Sequence, residues 1–199
     1  MKFIATDVDD SIEKIAAMVR AEQARPDYAI DSYFYRSHLV YEKELDHLVF
    51  RSWLYAGHVS ELPNPGDYLL LEIGEDSVII VRDKSAELHA LINVCRHRGA
   101  RVCEEKSGNR KTFVCPYHGW VYNTDGSLKA AREMEVRADF DLASHGLKKA
   151  RIVVYMGLIF INCDPHAVDF LEPLSNLAEP LGAYGLERAT KAGIPTACI

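Results

Sequence analysis

The chain has 199 residues, 48% hydrophobic and 26% charged, a balance that excludes a disordered chain or a fibrous repeat and predicts a packed core. Its formal net charge of −6 and sequence pI near 5.7 leave no electrostatic footprint for nucleic acid or anionic lipid. The length suits one ordinary domain with extensions and is cramped for two.

The opening segment MKFIATDVDD has one lysine and a three-residue apolar run before acids begin, which is no secretory signal. No stretch approaches the roughly 20 apolar residues of a membrane span, so no membrane association and a cytoplasmic location are expected. Cysteines kept reduced there, and lying close to histidines, read as metal ligands before they read as disulfides.

From Asp10 to Arg25, Ile12, Ile15, Ala16 and Val19 recur at helical spacing, with Asp10 and Glu13 as a capping signal and Pro26 as the stop. Residues 38–50 predict a second helix, Leu45, Leu48 and Val49 sharing a face. The texture changes at Trp53. Short runs rich in Val, Ile, Leu and Tyr at 53–56, 68–73, 77–82 and 88–94 are separated by turn signals such as Pro63-Asn64-Pro65-Gly66 and Gly74-Glu75-Asp76. Further strands are expected at 111–115, 119–123, 151–155 and 157–162, a spacing that predicts antiparallel β structure. Residues 164–187 read as helical again, with an apolar stripe of Phe170, Leu171, Leu174, Leu177 and Leu181 interrupted by Pro173 and Pro180. The tail KAGIPTACI carries no finished element, so a longer architecture is expected.

Two short clusters carry the chemistry: Cys95-Arg96-His97-Arg98-Gly99 and Cys115-Pro116-Tyr117-His118-Gly119-Trp120. Each offers one thiol and one imidazole, and 17 residues separate His97 from Cys115. Two thiolates with two imidazoles are the ligand set of a Rieske [2Fe-2S] centre, in which two His replace two Cys on one iron and raise the potential to roughly −150 to +300 mV. Each loop then supplies one ligand to each iron. A Cys2His2 zinc site is the chemical rival, although the C-x-H pair is shorter than the usual spacing of zinc pairs. Gly99 and Gly119 mark a sharp bend or a close backbone approach, with N–H groups aimed at sulfide as the expected consequence. Trp120 and Tyr117 are expected to shield the centre by packing. Cys103, Cys163 and Cys198, and His58, His89, His145 and His166, lie in no spaced pair and receive no role.

The segments CRHRGARVC and FVCPYHGWVYNTDGSL, with RSWLYAGHVSELPNPGDY upstream, resemble the Rieske-type non-haem iron oxygenases in their large or alpha subunits, the ring-hydroxylating kind. The resemblance spans roughly residues 33–165, and the upstream segment leans toward the branch acting on quaternary ammonium compounds such as glycine betaine or carnitine. It implies a mainly β fold with flanking helices: a Rieske-type antiparallel β-sandwich with an inserted cluster-binding subdomain at about 93–122. The implied domains are a helical extension at 1–52, a Rieske domain at 53–163 and, at 164–199, the helical start of a missing C-terminal catalytic domain. Respiratory Rieske proteins carry an extra disulfide between the loops; here Ala100 and Tyr117 stand at those positions.

By the same resemblance, Cys95, His97, Cys115 and His118 bind a [2Fe-2S] cluster. It relays electrons from a reductase or ferredoxin to a mononuclear Fe(II) for O2-dependent hydroxylation or demethylation, as monooxygenase or dioxygenase. That second iron is held by two histidines and a carboxylate. The family's histidines stand five apart, and no pair here does, so the mononuclear iron is expected only in an absent C-terminal domain. A homo-oligomer is implied, a trimer in the family. The alternative is a stand-alone Rieske ferredoxin-like electron carrier.

Overall fold

The computed structural model describes residues 10–192 except 135, 138, 172 and 173. The segment before Asp10, most of the tail and Cys198 therefore lie outside the described residues. The chain divides into two compact units, residues 1–51 and 52–199.

In the first unit, α1 (Ile12–Gln23) is capped by Ser11, whose side chain accepts from the Lys14 N–H. The expected cap, Asp10, has another task. Its carboxylate accepts from the Ser37 hydroxyl at 2.6 Å, the Tyr33 hydroxyl at 3.2 Å and the Leu39 N–H at 3.0 Å, binding the start of α1 to the start of the next helix. The serine is one residue closer to the first turn, which leaves the aspartate free for this longer-range role. The second helix, α2 (His38–His47), ends earlier than its pattern suggested, and a 3₁₀ turn at Val49–Arg51 follows.

Every strand pairing described in the second unit is antiparallel. Ten strands are described: β1 (Leu54–His58), β2 (Asp67–Ile73), β3 (Asp76–Arg82), β4 (Leu88–Ile92), β5 (Ser107–Asn109), β6 (Thr112–Val114), β7 (Val121–Asn123), β8 (Leu128–Ala130), β9 (Lys149–Tyr155) and β10 (Leu158–Asn162). Seven form one sheet in the order β1-β10-β9-β4-β3-β2-β5, and β6-β7-β8 form a second. The apolar run Val78-Ile79-Ile80-Val81 of β3 is buried on both faces, as an unbroken run rather than an alternation predicts.

On one face, Ile79, Val81, Leu91 and Tyr68 meet Phe113, Tyr122 and Leu128 of the small sheet, and the same core cluster includes Cys95, Cys115 and Trp120. Fully burying side chains of this size contributes roughly 1.5–3 kcal/mol each, so the small sheet is seated firmly on the large one. The site is thus built on a packed core rather than on free loops.

Among the described residues of 164–187 the expected long helix does not form. The segment holds a 3₁₀ turn at Ser175–Leu177, a five-residue α3 (Ala178–Gly182) and another 3₁₀ turn at Leu186–Arg188. Pro180 lacks an N–H, and Gly182 and Gly185 add backbone freedom, so the apolar spacing alone cannot sustain a helix.

Candidate metal centre

β4 delivers the first loop and β6 the second, and the two close in the same way. The Cys95 N–H donates to the Ala100 carbonyl at 2.8 Å and the Gly99 N–H to the Cys95 carbonyl at 3.0 Å. In the second loop, the Cys115 N–H donates to the Trp120 carbonyl at 2.8 Å and the Gly119 N–H to the Cys115 carbonyl at 3.0 Å. Gly99 (φ +77°) and Gly119 (φ +72°) both sit in the left-handed region, where a side chain is strained. The bend expected of these glycines is present. The glycine N–H groups close the loops on the cysteine carbonyls, and the N–H groups that meet sulfur are those of Tyr117 and His118, on Cys115.

The four donors come together as two pairs. Cys95 and Cys115 are 3% and 2% exposed, and their thiols lie within hydrogen-bonding reach of each other. The His97 and His118 rings meet edge to face at 4.5 Å between centroids, His97 exposed and His118 half-buried. Burial pushes the Cys115 thiol up and the neighbouring Cys95 adds to this, while N–H groups of Tyr117 and His118 favour its thiolate. Desolvation, then the charges of His118 and Arg98, hold His97 below the usual imidazole range, which keeps its ring nitrogens available as donors. Among the described residues, no three His, Cys, Asp or Glu side chains converge as a single ion would require.

Trp120 shields the pair as expected: it is buried and lies flat on His97, 4.9 Å between centroids at 8°. Tyr117 is 60% exposed, its ring against His118 at 3.9 Å. His145, assigned no role from sequence, packs on Phe140 at 4.4 Å beside Trp120.

Two further residues escaped the sequence reading. The Tyr122 hydroxyl accepts from the Arg96 N–H at 3.0 Å and lies 3.2 Å from the Cys95 sulfur, to which it can donate when that sulfur is a thiolate. Its place two residues after Trp120, in the expected strand 119–123, is the signal that could have found it. Asn93 is 1% exposed; its side-chain oxygen accepts from the Val102 N–H at 2.9 Å and the Cys103 N–H at 3.0 Å, and its amide donates to the Cys103 carbonyl and to Ser77. Nothing in the local sequence distinguishes it from a turn asparagine.

Two matched loops on an antiparallel β scaffold, each bringing one thiol and one imidazole so that like donors meet between the loops, define the Rieske class of iron–sulfur fold. Residues 52–146 match the Rieske [2Fe-2S] domain family. It is 43% identical over 141 residues to the benzene 1,2-dioxygenase subunit alpha of Pseudomonas putida, covering 70% of this chain and 31% of that one. It is 38% identical over 168 residues to the glycine betaine monooxygenase oxygenase subunit of Pseudomonas aeruginosa, covering 83% and 38%. Among solved structures, naphthalene 1,2-dioxygenase from Rhodococcus sp. superposes with a TM-score of 0.75 at 30% identity, over 87% of this chain and 40% of that one. The chain spans about a third of the length of the curated relatives it matches. A [2Fe-2S] cluster is the group the Rieske domain implies. No described helix is long and apolar enough to cross a membrane.

Proposed function

We propose that Cys95, Cys115, His97 and His118 hold a [2Fe-2S] cluster, the two sulfurs on one iron and the two ring nitrogens on the other, and that the chain serves as the electron-relay part of an oxygenase alpha subunit. The observation that carries this reading is the pairing of like donors, thiol with thiol and imidazole with imidazole, by loops of identical backbone closure. The donor chemistry fits the group: two buried thiols and two imidazoles are the Rieske ligand set.

When bound, such a cluster takes up and releases single electrons at a potential raised by its neutral ligands. The residues of the chain divide the remaining work. The packed cysteines exclude water, Tyr122 donates to the Cys95 sulfur, and the exposed edge of His97 offers a short way out to a partner surface. In this reading electrons arrive from a reductase or ferredoxin and leave for a mononuclear iron that supports hydroxylation or demethylation, held outside this chain's residues in a homo-oligomer. A cytoplasmic setting suits the reduced thiols. The names of the relatives favour an oxygenase part over a stand-alone carrier, because the likeness extends beyond the Rieske segment to 87% of the chain.

Metal and sulfide analysis with electron paramagnetic resonance tests the proposal. Anaerobically assembled protein should contain iron and acid-labile sulfide in equal amounts and give a rhombic signal on reduction. Colourless, sulfide-free protein that binds a single zinc would refute it.

A further inference from the structure

The chain as a whole is acidic, with a formal net charge of −6, but the tips of the two cysteine–histidine loops are not. No acid occurs between Val94 and Cys103 or between Val114 and Asn123, while the first stretch holds Arg96, Arg98 and Arg101. Arg101 is turned to the Glu75 carbonyl and to Glu72 at 4.0 Å. Arg96 and Arg98 are exposed and, among the described residues, have no ion-pair partner. Acids nearby are already engaged: Glu133, whose charge reaches His97, lies 3.9 Å from the Arg132 guanidinium, and Asp139 pairs with Arg137 at 3.3 Å.

The same tips expose apolar surface. Neighbouring residues of an extended chain point to opposite sides, so the burial of Cys95 and Cys115 turns Val94 and Val114 outward, 36% and 47% exposed. Tyr117 adds an exposed ring against His118, and the contact of His118 with His97 joins the two loops into one face. That face presents Val94, Val114 and Tyr117 about the imidazoles, with unpaired guanidinium groups on either side of His97 in the chain. An apolar centre with a charged rim is the anatomy of a protein interface, and brief redox encounters are the small members of that class.

We propose that this face docks a protein electron donor that presents carboxylates around an apolar spot, with Arg96 and Arg98 meeting the carboxylates and Val94, Val114 and Tyr117 meeting the spot. It rests on the cluster being held by Cys95, His97, Cys115 and His118 as proposed above. A second copy of the chain is a poor occupant, because two such faces meeting about a two-fold axis bring like charges together. An acidic donor is repelled by the chain as a whole and drawn to this face, which orients the encounter with the exposed edge of His97 toward the donor.

Stopped-flow mixing of the oxidised, cluster-loaded full chain with a reduced plant-type [2Fe-2S] ferredoxin of acidic surface tests the docking; one electron moves from the all-thiolate cluster to the one of higher potential. The second-order rate should fall steeply as sodium chloride rises, and Arg96→Glu with Arg98→Glu should lower it about tenfold or more at low salt. Val114→Ser changes no charge and should lower it about threefold, which keeps the proposal testable if the double reversal costs the cluster. Lys84→Glu, exposed in the turn between β3 and β4, should stay within about twofold. Oxidation of the reduced chain by hexacyanoferrate(III) separates charge from potential: lost attraction for anions slows both reactions, whereas a lowered potential slows the first and speeds the second. Retention of the oxidised chain on the same ferredoxin, immobilised, reads docking with no electron transferred, and the double variant should lose it while Lys84→Glu keeps it. Rates and retention indifferent to salt and to both arginines overturn the proposal, as does self-association that the double variant abolishes while the ferredoxin rate stands. Colour and labile sulfide are read first: a coloured chain that fails these tests sinks the docking alone, and a colourless one sinks the cluster assignment and the docking with it.

Discussion

The two cysteine–histidine loops share a backbone and differ in what stands behind them. Both close with the same pair of main-chain hydrogen bonds, at 2.8 and 3.0 Å, over a left-handed glycine. The first loop is braced by side chains from elsewhere: Asn93 clamps the chain at Val102 and Cys103, and Tyr122 holds the Arg96 N–H and the Cys95 sulfur. Among the described residues no side-chain hydrogen bond does this for the second loop, which instead carries its own stiffener, Pro116, inside a hairpin of paired strands. One geometry is therefore reached twice, once by tertiary bracing and once by local restraint, and the first is the one that a distant substitution can disturb.

The largest expected effect ignores the difference between loops. Cys95→Ser and Cys115→Ser should each abolish the chromophore and the labile sulfide, measured by visible absorption and sulfide assay, because both remove a thiolate from the same pair. His97→Cys should keep part of the cluster and lower its midpoint potential in protein-film voltammetry, since an anionic ligand replaces a neutral one.

Asn93→Ala should separate the loops. It leaves the buried Val102 and Cys103 N–H groups unpaired, at about 1–3 kcal/mol each, so the urea midpoint should fall and iron should leave the protein faster under chelator. An unchanged urea midpoint would show that water replaces the clamp. Tyr122→Phe is smaller, with a loss of about 1–2 kcal/mol for the bonds of one hydroxyl, and it should lower the midpoint potential because the Cys95 sulfur loses a donor. A potential that stays fixed would place the hydroxyl's role in holding Arg96 alone.

Smallest are Gly99→Ala and Gly119→Ala. Neither Cβ meets an atom within 4 Å, so the cost is backbone strain only, roughly 1–2 kcal/mol in each loop by thermal melting. Unequal costs would mean that the bracing behind the first loop also resists adjustment at its glycine.

The loops and most strands were legible in the sequence because their signals are local: a thiol and an imidazole within a few residues, a glycine after them, and apolar runs bounded by turn residues. β5 was missed because Ser107-Gly108-Asn109 has no apolar residue and is exposed throughout, its strand character coming only from pairing with β2. β8 was missed for its length of three residues after a turn. The C-terminal helix was overread, since apolar spacing at Leu174, Leu177 and Leu181 carried more weight than the missing N–H of Pro180. In the site, the four donors were visible but Asn93 and Tyr122 were not, because both act on atoms 9 to 27 positions away and such reach exists only after the sheets pack.

The flat stacking of Trp120 on His97 has an implication of its own. An imidazole pressed plate on plate against a buried indole has little room to swing about its side-chain torsions, so its nitrogen stays aimed whichever charge its surroundings carry. Electron hopping slows when nuclei must shift to accommodate the arriving charge. The indole thus does for the ring what a rigid mount does for a contact pin, keeping the rearrangement that accompanies each transfer small.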